Sequence, residues 1–92
     1  MSSINNVNSA IDRIKSLECP TGEVESRVAD ILQEYNVANK SEVNIYRNES
    51  LDSVGAEAYT ANFANNPNQH LVVLAKSGLD DYVATVVDAY IM

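Results

Sequence analysis

One cysteine, one histidine, no tryptophan and three isolated glycines leave the chain short of the residues from which catalytic and cofactor sites are usually built. Cys19 has no second cysteine to pair with, so no internal disulfide forms. A structural zinc needs about four nitrogen or sulfur ligands, and His70 with Cys19 supplies two at most, so neither metal nor cofactor is expected. Gly22, Gly55 and Gly78 each stand alone at an expected element boundary, which excludes a glycine-rich phosphate loop. No apolar run nears the roughly 18 residues of a membrane span. The start, MSSINNVNSA, shows neither the basic nor the apolar region of a secretory leader, and a cytoplasmic protein is expected. Basic residues are scarce as well: 6 against 13 acidic ones, for a net charge of −7. Such a charge repels free DNA at long range and favours cationic surfaces.

What is present is enough for one globular domain over residues 1–92, with 46% hydrophobic residues and 21% charged. The longest apolar run, Leu71–Ala75, has strand length, and with Val72 and Leu74 as apolar as Leu71 and Val73 it should be covered on both faces. Ile4, Val7, Ile11, Ile14 and Leu17 recur at three- and four-residue steps and predict a helix over Ser3–Glu18, capped by Ser2 or Ser3 and ended before Pro20. Thr21 is placed to cap a second helix with Glu23 and Glu25 in its first turn and Val24, Val28, Ile31, Leu32 and Tyr35 on its buried face. About four residues between the two make an antiparallel hairpin. Glu42–Arg47 and Glu57–Phe63 alternate as half-buried strands do, and Ala64–Gln69 reads as a turn. After Ser77 and Gly78, the spacing of Leu79, Val83, Val86, Val87 and Tyr90, with Asp80 and Asp81 leading, predicts a last helix. The expected fold is α+β, in the order ααβββα: a helical hairpin, a three-stranded antiparallel sheet and a C-terminal helix.

Candidate chemistry is thin. His70 has neither a matched nucleophile nor ligand spacing around it, and Cys19 beside Pro20 is read as filling a small apolar gap. Asp80 and Asp81 complement a helix dipole more readily than they hold a cation. No catalytic residue is assigned and no enzymatic activity is expected. Glu23, Glu25, Asp30 and Glu34, with Glu42 and Glu49, form an acidic set able to imitate phosphates before a basic channel. Eleven asparagines offer neutral hydrogen-bonding groups suited to docking.

The segments SAIDRIKSLECPTGEVESRVADILQEYNVANKSEV and NNPNQHLVVLAKSGLDDYVATVVDAYIM, together with the 92-residue length and the acidic balance, resemble the phage-encoded anti-CRISPR proteins of the type I-F class, most closely the eighth family of that class. The resemblance implies a non-enzymatic inhibitor of the host's crRNA-guided Csy surveillance complex, acting in the cytoplasm of the infected bacterial cell. It would block the pairing or binding of target DNA, with contacts to guide RNA beside those to protein. No membrane is involved, and the chain is expected to act as a monomer. The class of activity carries over from the resemblance, whereas the binding residues are placed from the loops of this sequence: Arg47 and Asn48, and Asn65, Asn66, Asn68, Gln69 and His70. The alternative reading is an acidic, phosphate-mimicking inhibitor of another nucleic-acid-binding defence protein, such as a restriction or repair enzyme.

Overall fold

The computed structural model describes residues 3–64, 66–77 and 82–92, with side chains for all of these but 3–6 and 66. Two helices, α1 (Ser3–Lys15) and α2 (Val24–Glu34), pack on one face of a five-stranded sheet. Its strands are β1 (Glu18–Pro20), β2 (Val43–Arg47), β3 (Glu57–Phe63), β4 (Asn66–Ser77) and β5 (Val83–Ile91). Every neighbouring pair is antiparallel, in the spatial order β1-β5-β4-β3-β2. Among the described residues no helix is long and apolar enough to cross a membrane.

The core follows the two periods of the sequence. Ala10 and Ile14 of α1, with Val24, Val28, Ile31 and Leu32 of α2, meet the residues of one sheet face: Tyr59, Ala61 and Phe63, Leu71, Val73 and Ala75, Ala84, Val86 and Ala89. Ile14, Val24, Val28, Leu32, Leu71 and Val73 are the large side chains sealed between the layers. α2 ends in a Schellman motif: Asn36 N–H donates to the Gln33 carbonyl at 3.1 Å and Val37 N–H to the Leu32 carbonyl at 2.9 Å. Asn36 sits at φ 60°, which its short polar side chain tolerates, and Val37 then turns back against the core.

Several expectations are overturned. The sheet has five strands, not three, and no C-terminal helix follows it, because Val83–Ile91 is β5. A β-bulge explains the misleading period. Leu74 faces Asp88 and Ala75 faces Val86, so Val87 is an extra residue, and the buried set becomes Ala84, Val86 and Ala89 at steps of two and three. Of the stripe expected to face the core, Val86 is buried, while Val83, Val87 and Tyr90 are exposed by 39%, 50% and 38%. The expected first turn, with Gly78, Leu79, Asp80 and Asp81, lies outside the described residues, as do Ser2 and the side chains of Ser3 and Ile4.

The helical hairpin is also interrupted. Glu18–Pro20 pairs with β5 as an edge strand, in register Glu18 to Thr85 and Pro20 to Val83. A 3-10 turn, Thr21–Glu23, precedes α2, so Thr21 does not occupy its cap. The stretch read as a turn before His70 belongs largely to β4, which begins at Asn66 and slips register against β3 between Asn62 and Phe63. Central placement of β4 accounts for its apolar run: Leu71 and Val73 are sealed under the helices, and Val72 is buried on the other face.

Candidate functional site: the helix-free face of the sheet

Alternation along each strand sends every second side chain away from the helices. On β2 these are Asn44 and Tyr46, on β3 Ala58, Thr60 and Asn62, and on β4 His70, Val72, Leu74 and Lys76. On β5 they are Val83, Thr85, Asp88 and Tyr90. The ladder lines them up in rows across the sheet. Tyr46, Thr60, Val72 and Tyr90 form the middle row. Asn44, Asn62 and His70 lie beside it on one side, and Ala58, Leu74 and Asp88 on the other. A last row runs Lys76, Thr85, Glu18.

The middle row has buried residues at its centre and half-exposed aromatics at its ends. Thr60 and Val72 are 2% and 0% exposed although no helix covers them, whereas Tyr46 and Tyr90 are 39% and 38% exposed. Three strand spacings separate the two tyrosines, about 14 Å. Neighbouring polar groups are held in place. The His70 Nδ1 and Asn62 Oδ1 atoms are 2.6 Å apart, Asn48 Nδ2 donates to Thr60 Oγ1 at 3.1 Å, and Thr85 Oγ1 donates to Glu18 Oε2 at 3.2 Å. His70 is further fixed through its backbone, which exchanges hydrogen bonds with Met92. Two tyrosines, two asparagines and a histidine around the buried Thr60 and Val72 give this face the means for stacking, apolar contact and neutral hydrogen bonds. It carries few charges: Lys76, Asp88 and Glu18.

The loop residues expected to bind a partner are divided between the two sides of the sheet. His70 stands on the helix-free face, and Asn48 reaches it through Thr60 while also accepting from the Ser50 backbone N–H and hydroxyl. Gln69 lines a cleft of about 150 Å³ on the helix side with Val7, Leu32, Phe63 and Leu71. Asn68 is exposed in β4. Asn65 and the side chain of Asn66 lie outside the described residues.

Arg47 is committed inside the chain. Its guanidinium donates to both carboxylate oxygens of Asp52, at 2.7 and 3.0 Å, to Glu57 Oε2 at 3.1 Å and to the Ala58 carbonyl at 3.3 Å, and it lies 5.9 Å from the Tyr59 ring centre. The Asp52 carboxyl is held below its ordinary range by the Arg47 hydrogen bonds and then by the Ala58 N–H, and Arg47 is correspondingly raised. The cluster pins the 48–56 connection to the edge of the sheet. Tyr46 and Asn44 of this face were not among the expected binding residues although their alternation was visible. Tyr90 was hidden by the helical reading of its segment.

Among the described residues Cys19 and His70 are not brought together. Cys19 is buried among the core residues, and burial raises its thiol pKa. His70 projects from the opposite face. Among the described residues no three His, Cys, Asp or Glu side chains converge to hold a metal. Of the four α2-region carboxylates able to imitate phosphates, Glu23 is paired with Arg27 at 3.0 Å and Asp30 with Lys40. No family model, no curated protein and no solved structure matches the chain.

Proposed function

We propose that this chain is a non-enzymatic anti-CRISPR inhibitor that docks through its helix-free sheet face on the crRNA-guided type I-F Csy complex and prevents target DNA from pairing or binding. The observation that carries the reading is that face: Tyr46 and Tyr90 bracket a sealed Thr60–Val72 centre, beside a row of Asn44, Asn62 and His70. Its aromatic rings and amides suit contact with protein and with exposed guide bases alike. The net charge of −7 supplies long-range attraction to a complex whose channel is positively charged. The chain works as a single copy in the cytoplasm of the infected bacterial cell, without cofactor, turnover or affinity for free DNA.

The phosphate-mimic reading is weaker. Arg27 and Lys40 neutralise two of the carboxylates it depends on, leaving Glu25 and Glu34 as the outward pair on α2. A competition assay separates the two readings. Purified chain is mixed with the guide complex, and labelled target DNA with the correct flanking motif is then added. The proposal expects co-migration with the complex, loss of DNA binding, and at least tenfold weaker inhibition by Tyr46→Ala/Tyr90→Ala. Glu25→Gln/Glu34→Gln should inhibit normally. Absence of association refutes the reading, and inhibition that depends on the α2 carboxylates and not the tyrosines favours the mimic.

A further inference from the structure

The two edges of the sheet are treated differently by the sequence. β1 is three residues long and ends in Pro20, and the following Thr21 N–H is taken by the Tyr82 carbonyl at 2.9 Å. Short length and proline are two of the means by which proteins close a sheet edge to further pairing. β2 has neither. Val-Asn-Ile-Tyr-Arg holds no proline, glycine, lysine or bulge, and its register with β3 is regular from Val43–Phe63 to Arg47–Tyr59.

The hydrogen bonds at its ends fix which backbone groups are unused. Ala64 N–H donates to the Glu42 carbonyl at 2.8 Å and Asn48 N–H to the Ala58 carbonyl at 2.9 Å. The even-numbered residues therefore bond to β3, and the N–H and C=O groups of Val43, Ile45 and Arg47 point outward. These are the groups that a sixth strand would use. The side chain of Arg47, the one charge in the strand, does not guard the edge, because Asp52 and Glu57 hold it.

Charge decides what can occupy the edge. Residues 40–57 contain Lys40 and Arg47 against Glu42, Glu49, Asp52 and Glu57, and both cations are already in ion pairs. A second copy would bring another net charge of −7 to the same place. Global charge thus does for β2 what proline and length do for β1, while leaving the edge open to a positive strand. We infer that the free edge of β2 is a strand-addition site for an extended, cationic segment of a partner protein. Main-chain bonds to Val43, Ile45 and Arg47 supply the pairing, and the surrounding carboxylates select the charge. The site is the backbone edge of the strand whose Tyr46 side chain stands on the helix-free face, and it does not depend on the identity of the complex.

The test is residue-resolved hydrogen exchange on the full chain with three octapeptide probes: alternating Lys-Val, alternating Glu-Val, and alternating Lys-Val with central residues replaced by proline. With Lys-Val, the amides of Val43, Ile45 and Arg47 should slow at least tenfold, while those of Asn44 and Tyr46, already bonded to β3, should change little. Glu-Val and the proline probe should give no protection, and added salt should weaken the Lys-Val effect. A semisynthetic chain with N-methyl-Ile45 keeps every bond to β3 and should lose the Lys-Val effect by at least tenfold at unchanged thermal stability. Absence of odd-residue protection at saturating Lys-Val overturns the inference, as does equal protection by Glu-Val. So does protection that arises without peptide and grows with protein concentration, which would mark pairing of two copies. None of these outcomes bears on the guide-complex competition, so either idea can fail alone.

Discussion

Adjacent valines near the C-terminus offer a sharp test of the fold. Val86 is 5% exposed and belongs to the core, whereas Val87 is the unopposed residue of the bulge and is 50% exposed. Replacing Val86 by alanine removes two buried methyl groups, worth about 1.6 kcal/mol at roughly 0.8 per buried carbon. Residual cavity adds to this where the neighbours do not collapse, for about 2 kcal/mol in all. In a domain of this size that lowers Tm by roughly 8–16 °C. Val87→Ala removes little buried surface and should cost about 0.5 kcal/mol or less, from strand preference alone. Urea denaturation followed by circular dichroism, with the slope checked for constancy, measures both. In a helix with both valines on its inner face, the two changes would cost similar amounts, and Val87→Ala would even gain helix propensity. Equal losses, or a larger loss at Val87, would refute the bulged strand.

The ion-pair cluster at the β2 edge gives a pH dependence with a definite sign. Arg47 lowers the folded-state pKa of Asp52 below its ordinary 3.8, so the associated stability is complete above that value and is lost as pH falls through the depressed one. The stability advantage of the wild type over Asp52→Asn should therefore shrink as urea midpoints are followed from about pH 5 to pH 2. Cys19, 5% exposed with a thiol raised above its ordinary 9.0 by burial, should react with a disulfide reagent about 100-fold more slowly in the folded chain than in urea. Fast labelling at neutral pH would contradict its place in the core. At Asn36, with φ 60°, glycine should be tolerated within about 0.5 kcal/mol, while valine should cost about 1–2 kcal/mol in the same urea assay.

Much of this chain is readable without its structure, where the signal is local. The stripes of Ile11 and Ile14 and of Val24, Val28, Ile31 and Leu32 each specify a helix face, because a run that mixes three- and four-residue steps stays on one side of a helix but changes sides on a regular strand. The alternation of Val43–Arg47 and Glu57–Phe63 specifies two strands and sorts Asn44, Tyr46, Thr60 and Asn62 onto the side away from the core. Charge, and the scarcity of ligand residues, are properties of composition. Tertiary structure decided the rest. Only pairing with β4 makes Val83–Ile91 a strand, since one extra residue at Val87 turns a period of two into a spacing that looks helical. Only pairing with β5 makes a strand of Glu18–Pro20, three residues too short to signal anything alone. The face that joins Tyr46 to Tyr90 across four strands arises from register, a relation between residues distant in the chain that no local period encodes.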